Sequence, residues 1–405
     1  MIVSKEFLVN FERKGSLKEV FPKVEEIIDM VKRDGDDALI NLTERFDGVK
    51  LRYIEVPSEE IDDAYDRVDD ELVDALEAAK ENISNFHYIT MVDRDIRLDF
   101  DYMVLGKKYT PVESAGIYIP GGRASYPSTA LMGGLPAKIA GVKRLIACTP
   151  PDDSGGINPL TLVACDIVGF DRVYAVGGAQ AIAAMAYGTE TIKRVEKIAG
   201  PGNIYVTAAK LLVQRDVAID MPAGPSEILV IADESANLEF VSLDIAAQLE
   251  HDPSSIAILL TDSREFAEKV EKRVSELIES KNLYTCILKI EEAIELSNLL
   301  APEHLSLVFK NADNWIDKIE NAGSVFIGDY SPVAAGDYAS GTNHILPTSG
   351  YARMYSGLSV ETFLKHITYQ KIEKNGLRKI GDSILRLAEA EGLKLHKKSV
   401  EERLK

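Results

Sequence analysis

The sequence is poor in cysteine and tryptophan, and it lacks any long apolar run. Its three cysteines, Cys148, Cys165 and Cys286, show no Cys-x-x-Cys spacing, so neither a disulfide framework nor a zinc ribbon is expected. No stretch of about 18 apolar residues occurs, which argues against a membrane-spanning helix. Charged residues interrupt the N-terminal stretch, so we expect no secretory signal, and the cytoplasm is the expected location.

Basic residues are also in short supply. The 405 residues include 46 Lys and Arg against 65 Asp and Glu, which gives a formal net charge of −19. Such a surface repels phosphate groups, so neither a nucleic acid nor a membrane is expected as a partner. The chain is longer than one hydrophobic core usually supports, and we therefore expect two or more domains.

The first quarter of the chain has the pattern of charged amphipathic helices. Apolar residues recur at helical spacing within 20–32, 37–46 and 58–86, among many carboxylates. Ser58 is of a type that commonly begins a helix. We therefore predict an N-terminal helical arm over residues 1–108.

From residue 109 onward, short apolar strands alternate with helices through glycine-rich connections. This alternation predicts parallel sheets with helices on both faces. Two such runs, 109–222 and 223–330, are followed by a polar loop and a tail at 331–405. The predicted fold class is α/β, with two tandem Rossmann-like parallel-sheet domains, an N-terminal helical arm and a small C-terminal helical tail unit. Ligands are expected between the halves, outside the carboxyl ends of the strands.

Three glycine-rich segments in the first half follow predicted strands and precede helices. They are 116–122, which runs on into Arg123, then 177–180 and 200–203. Loops of this kind bring backbone N–H groups and a helix N-terminus close to phosphate. None has the Gly-x-Gly-x-x-Gly pattern, and each alone is typical of a tight turn. Nucleotide binding and simple turns therefore both stay open.

Gln248 and His251 lie near the end of a helix predicted over 238–250. Residues three apart share one side of a helix, so both side chains could face one metal ion or substrate. The alternative is an ordinary helix end, with the imidazole facing the helix dipole. The spacing alone does not decide between them.

Glu303 and His304 form a candidate acid/base pair. Pro302 ends the preceding helix, which places both residues on the connection to a strand. An imidazole can take a proton at neutral pH, and a neighbouring carboxylate can orient water. The alternative is a turn that holds two polar residues. Asp337 and His396 are further residues of metal-binding type. Together with Gln248 and His251 they make four candidate ligands, whose spacing in the sequence is not diagnostic of a metal site.

Eight segments, in order and over nearly the whole chain from about residue 20, resemble histidinol dehydrogenases. One small departure is Leu249, where that family more often has Ala. The segments are GIYIPGG (116–122), AVGGAQAIAAMAYGT (175–189), GPGN (200–203), AGPSEILVIAD (223–233), AAQLEHDP (246–253), APEHL (301–305), AAGDYASGTNHILPT (334–348) and EAEGLKLHKKSV (389–400).

The resemblance implies the last two steps of histidine biosynthesis. L-Histidinol would be oxidised through L-histidinaldehyde to L-histidine, a four-electron reaction that reduces two NAD. His304 would be the general base, and Glu303 would activate water. One zinc ion per subunit would position the substrate. The implied zinc ligands are Gln248, His251, Asp337 and His396.

The resemblance also implies binding residues and a partner subunit. The protein would be a homodimer whose C-terminal dimerisation tail completes the partner's site and brings Glu391 and His396 there. The implied NAD contacts are Tyr118, Gln180 and Asn203. The implied substrate contacts are Ser226, Gln248, His251, Glu303, His304, Asp337, His344, Glu391 and His396.

Three other functions are weighed against this one. A zinc hydrolase could use Glu303 and His304, but it would leave the glycine-rich loops without a role. An inactive binding or regulatory homologue is disfavoured because the complete set of candidate residues is present. An NAD enzyme that acts on another amino alcohol stays open.

Overall fold

A computed structural model describes residues 1–11, 17–91, 95–121 and 125–405. Gly122 and Arg123 of the first glycine-rich segment lie outside these ranges. The contacts divide the chain into two compact units, Met1–Ile89 with Val112–Phe363, and Thr90–Pro111 with Leu364–Lys405. The predicted division into 1–108, 109–222, 223–330 and 331–405 stays a prediction.

Helices and strands alternate through most of the first unit. The helices are α1 Lys5–Asn10, α2 Leu17–Asp47, α3 Ser58–Tyr65, α4 Asp70–Thr90, α5 Pro127–Ala140, α6 Pro159–Val168, α7 Gly178–Tyr187, α8 Ile204–Val213, α9 Leu238–Glu250, α10 Arg264–Leu277, α11 Ile290–Leu300, α12 Val333–Tyr338, α13 Lys374–Ala390 and α14 Lys394–Leu404. Short 3-10 helices cover Ala312–Lys318, Tyr351–Arg353 and Val360–Phe363. The strands are β1 Ile96–Phe100, β2 Met103–Pro111, β3 Ser114–Tyr118, β4 Arg144–Thr149, β5 Arg172–Ala175, β6 Lys197–Ala199, β7 Ala218–Ile219, β8 Glu227–Ala232, β9 Ile256–Thr261, β10 Leu283–Ile287, β11 His304–Val308, β12 Ser324–Ile327 and β13 Leu364–Ile372.

Two parallel five-stranded sheets form the frame of the first unit. Their strand orders are β5-β4-β3-β6-β7 and β10-β9-β8-β11-β12. Numbered within each half, both orders are 3-2-1-4-5, as in doubly wound nucleotide-binding folds. The central strands β3, β8, β9 and β11 are buried along their whole length, as strands covered on both faces must be. The α/β fold class with two tandem parallel-sheet domains is confirmed.

The N-terminal helices pack against the first sheet. Val24, Val31 and Leu39 of α2 share one buried cluster with residues of that sheet and of α7 and α8. Small alanines in α7 allow this close approach, since most of the helix is buried. The helical arm is therefore part of the first sheet's hydrophobic core.

Two helix boundaries differ from the prediction. The predicted helices at 20–32 and 37–46 are joined in α2 across a kink at Gly35, whose φ of 53° and ψ of −129° suit glycine. The single helix predicted over 58–86 is two helices, α3 and α4. The side chain of Asp69 accepts a 2.8 Å hydrogen bond from the Glu71 N–H and so begins α4.

An antiparallel sheet was missed by the sequence prediction. Strands β1, β2 and β13 pair in that order within the second unit. The five residues of β1 do alternate between apolar and polar side chains, but so short a pattern was outweighed by the helical spacing of the preceding residues. The 1–108 arm is thus not helical throughout, and the tail unit is not purely helical. Likewise the polar segment predicted as a loop at 330–350 contains α12.

Across the ranges that the structure describes, no helix is both long enough and apolar enough to cross a membrane.

Candidate active site

Glu303 and His304 lie at the start of β11, between β8 and β12. Ala301 ends α11 with a left-handed backbone, Pro302 follows, and His304 is the first strand residue. His304 pairs in register with Ile228, the second residue of β8. Because these strands are parallel, the candidate pair lies at the amino edge of the second sheet. The expectation of a site at the carboxyl ends is wrong for this pair, since the connection from α11 returns to the opposite edge.

The backbone of Glu227 holds both side chains of the pair. Its N–H donates a 2.8 Å hydrogen bond to Oε2 of Glu303, and its carbonyl oxygen lies 3.3 Å from Nδ1 of His304. A carbonyl only accepts, so Nδ1 carries the proton in this contact. Nε2 of a neutral ring then keeps its lone pair. All three residues are buried.

Burial and neighbouring charges shift the pKa of Glu303 and that of His304. Burial raises the pKa of Glu303 to about 7, although His304 and the Glu227 N–H act to lower it. Burial acts to lower the pKa of His304, but the charges of Glu303 and Asp337 outweigh it and raise that pKa. A carboxyl group whose pKa lies near neutral pH, like that of Glu303, suits acid/base catalysis.

Asp337 and His344 complete the buried cluster around His304. Oδ1 of Asp337, near the end of α12, lies 3.6 Å from Nε2 of His304. Burial acts to raise the pKa of Asp337, but the neighbouring imidazole of His304 outweighs it and keeps that pKa lowered. Nδ1 of His344 donates to the Asp337 carbonyl at 2.8 Å, and its Nε2 lies 3.2 Å from Oγ1 of Thr129. Since Thr129 belongs to α5, His344 connects the first half to the backbone of Asp337.

Gln248 lies in the last turn of α9, and His251 directly follows the helix. His251 follows α9 with helical dihedral angles, φ −58° and ψ −48°. Gln248 is buried, whereas His251 is exposed. The charge of His251 contributes to lowering the pKa of both Asp337 and His344, so it lies near them.

These donor types suit zinc, but the structure does not establish a metal centre. Nε2 of Gln248 and Nε2 of His304 are buried without a hydrogen-bond partner among the described residues. Turning the Gln248 amide by half a turn would present an oxygen ligand there. Within those same residues, no three or more His, Cys, Asp or Glu side chains are grouped to hold a metal. Zinc binding therefore stays a prediction. His396, the fourth implied ligand, lies in the second unit.

Tyr118, Gln180 and Asn203 lie at the carboxyl edge of the first sheet. Tyr118 ends β3, and its hydroxyl accepts a 3.1 Å hydrogen bond from the Gly178 N–H. Burial raises the pKa of Tyr118 to about 12, so its hydroxyl stays protonated and can donate to a ligand. Gln180 is buried in the first turn of α7, and Asn203 caps α8. Strands β3 and β6 meet where the strand order reverses, which is where such sheets bind nucleotides.

The other predicted site residues are spread over both units. Ser226 comes directly before β8, and its carbonyl accepts from the Ile256 N–H at 3.1 Å. Glu391 follows α13 and His396 lies in the first turn of α14, and both are exposed in the second unit.

Two residues of the site escaped the sequence prediction. Thr129 gave no signal, because its contact with His344 spans 215 positions. Glu227 gave a weak one, as a carboxylate at the start of a wholly buried strand. A buried acid is uncommon without a partner, and that rule could have singled it out.

The comparisons agree over almost the entire chain. A family model described as histidinol dehydrogenase matches residues 11–404. Histidinol dehydrogenase of Archaeoglobus fulgidus is 59% identical, over 98% of this chain and 99% of the relative, and that of Methanocaldococcus jannaschii is 51% identical, over 97% and 94%. The crystal structure of histidinol dehydrogenase from Elizabethkingia anophelis has a TM-score of 0.93 at 44% identity, covering 100% of this chain and 97% of that one.

Fold and site together define an α/β enzyme with a buried carboxylate–imidazole pair. The comparisons make the class an oxidoreductase. The chain belongs to the histidinol dehydrogenase family, which oxidises histidinol to histidine in histidine biosynthesis.

Proposed function

We propose that this protein oxidises L-histidinol to L-histidine through L-histidinaldehyde in a single site, with His304 as general base and Glu303 as the residue that activates water. The observation that carries this proposal is the buried pair itself, held by one backbone residue, Glu227. The proposed location is the cytoplasm.

His304 would serve in both oxidations. Its Nε2 takes the proton of the substrate hydroxyl as hydride leaves the adjacent carbon. The raised pKa of His304 makes it a stronger acceptor. The proton on Nδ1 stays directed at the Glu227 carbonyl, which keeps the ring in one orientation.

Glu303 would act between the oxidations. As a carboxylate it takes a proton from water while the water oxygen adds to the aldehyde carbon. Its pKa of about 7 allows both the charged and the neutral form near neutral pH. Burial of the pair limits loss of the reactive aldehyde to bulk water.

We further propose that Tyr118, Gln180 and Asn203 bind NAD, which supplies the hydride acceptor for each oxidation. The support is their place at the carboxyl edge of the first sheet, where the strand order reverses. The N-terminal ends of α7 and α8 lie beside them and favour a negatively charged diphosphate.

Gln248, His251, Asp337 and His396 would hold one zinc ion per subunit, which supplies a template for the imidazole and amino nitrogens of the substrate. The support is the buried Gln248 amide and the electrostatic contact of His251 with Asp337. Ser226, His344 and Glu391 would complete the substrate contacts, together with Glu303, His304 and the four ligands.

A homodimer would bring Glu391 and His396 to the partner's site. The second unit exposes an unusual number of apolar side chains for a free surface. Ile96, Leu98 and Phe100 are each about half exposed on one face of β1, and Leu395 beside His396 is 80% exposed. A partner subunit that covers this surface would remove it from water.

NADH formation measured at 340 nm with L-histidinol tests the proposal. We expect two NADH per histidinol consumed and loss of the signal after treatment with a chelator. A hydrolase would form no NADH, and a dehydrogenase for another amino alcohol would leave histidinol unused. The absence of NADH with zinc, NAD and histidinol present would overturn the proposal.

A further inference from the structure

A buried ion pair lies beneath the 200–203 loop and takes no part in the proposed chemistry. Nζ of Lys210, on α8, pairs with Oδ1 of Asp220, which follows β7. The Lys210 side chain is 4% exposed and that of Asp220 is 0% exposed. Removing two charges from water is unfavourable, and such pairs often stabilise a fold less than apolar residues would. The stability of the fold alone therefore does not account for this buried ion pair.

Both members of the pair hold the same residue, Gly200. Nζ of Lys210 donates a 2.9 Å hydrogen bond to the Gly200 carbonyl. The Gly200 N–H donates a 2.8 Å hydrogen bond to Oδ2 of Asp220. The peptide groups on both sides of this residue are thus fixed by charge-assisted hydrogen bonds, which are stronger than neutral ones.

Gly200 also packs closely against the backbone of Tyr118, one of the proposed NAD-binding residues. Its φ of +118° lies in a region that suits glycine, and a Cβ there would collide with the backbone carbonyl of Tyr118. β3 ends at Tyr118 and β6 ends just before Gly200, at the reversal of the strand order. Three residues further on, Asn203 caps α8, the helix that carries Lys210. The ion pair therefore closes the loop between β6 and α8.

We propose that Lys210 and Asp220 are positioning residues that form a clamp on Gly200 and thereby set the affinity for NAD. This inference rests on the proposed function, in which Tyr118 and Asn203 bind NAD. The clamp holds these two contacts at a fixed separation.

Three variants test the clamp. Lys210→Met removes the donor to the Gly200 carbonyl, Asp220→Asn weakens the acceptor for its N–H, and the double variant removes both charges. We expect the KM for NAD, and the dissociation constant of NADH measured by its fluorescence, to rise about tenfold or more. The value of kcat at saturating NAD and the KM for histidinol should stay within about twofold.

A matched control is Arg273→Met in the second half. Arg273 is ion-paired with Glu239 at 2.6 Å, away from the first sheet. We expect this variant to retain the wild-type KM for NAD. A clamp variant with a lower melting temperature but an unchanged KM for NAD would assign the pair to stability alone and overturn the proposal.

The double variant covers the case in which a lone buried charge prevents folding. A folded double variant with a raised KM for NAD supports the clamp, and one with a wild-type KM overturns it. Failure of the double variant to fold also counts against it, because the pair would then serve the whole fold. If the wild-type protein forms no NADH from histidinol, the proposed function fails; if it does and the variants retain their KM, only the clamp fails.

Discussion

The backbone N–H of Glu227 donates a 2.8 Å hydrogen bond to Oε2 of Glu303. The contact joins the first residue of β8 to the residue just before β11, on neighbouring strands of a rigid sheet. The candidate water-activating carboxylate is therefore oriented by the sheet itself, so its orientation does not depend on a flexible loop. A catalytic group held this way loses little entropy when substrate binds.

Glu303→Gln should separate the two oxidations. Glutamine keeps an oxygen that can accept the Glu227 N–H, so the fold is expected to stay intact. Without a carboxylate to take the proton from water, we expect histidine formation to fall by about 10²–10⁴-fold. Rapid-mixing measurement of NADH should show a first hydride transfer followed by a slow second one. Two NADH at the wild-type rate would contradict the role of Glu303.

The raised pKa of Glu303 also predicts how stability depends on pH. Its folded-state pKa of about 7 exceeds its ordinary value of 4.5, because burial favours the neutral form. The group's contribution to stability is then fully present below pH 4.5 and is lost as the pH rises through about 7. The shift corresponds to a contribution on the order of 3 kcal/mol.

Urea unfolding at several pH values would measure this contribution. We expect the free energy of unfolding of the wild type, minus that of Glu303→Gln, to fall between pH 4.5 and 7. Glutamine does not titrate and is the matched reference. A difference that stays constant over this interval would show that burial of Glu303 leaves its pKa unperturbed.

His304→Ala should remove the base and keep the metal. Turnover is expected to fall by about 10²–10⁴-fold, because the imidazole that would take the proton of the substrate hydroxyl is removed. Zinc measured by atomic absorption should stay near one per subunit, since His304 is not a proposed ligand. His251→Ala is the matched control and should lose zinc. Loss of zinc from His304→Ala itself would contradict this division of roles.

The sequence predicted the parts of the fold whose pattern is local. Buried strands such as β8 and β11 are continuous apolar runs, and their alternation with helices was enough to predict both parallel sheets. β1 was missed because its alternating pattern covers only five residues. Whether Gly35 bends or ends a helix depends on packing that the sequence does not show.

In the site, too, features with a local sequence pattern could be predicted, and features that depend on the tertiary structure could not. The helical backbone at His251 agrees with the spacing argument for Gln248 and His251, but their shared target stays a prediction. The edge at which Glu303 and His304 lie could not be predicted, because it depends on how α11 returns to the sheet. The roles of Glu227 and Gly200 rest on backbone hydrogen bonds, and a backbone N–H is common to nearly every residue. The carboxylate of Glu227 in a buried strand is a weak sequence signal, but the backbone contacts of both residues leave none.

Mixing two inactive variants would test whether the tail acts on the partner subunit. His304→Ala and His396→Ala should each be inactive as homodimers, the first without its base and the second with a weakened zinc site. In a mixed dimer with exchanged tails, one site receives a wild-type His304 from one subunit and a wild-type His396 from the other. Random reassortment of equal amounts makes half of the dimers mixed, so about one quarter of wild-type activity should return.

The apolar side chains exposed in the second unit, such as Phe100 and Leu395, make an exchange across a subunit interface physically reasonable. The matched control mixes each variant with Glu303→Gln. With His396→Ala, Glu303→Gln should restore activity as His304→Ala does, because the defects lie in different segments. A mixture of Glu303→Gln with His304→Ala should restore no activity. Residues 303 and 304 reach each site from the same subunit, so every site keeps one of the two defects. If the tail served its own subunit, no mixture would regain activity, and His396 could not be shared.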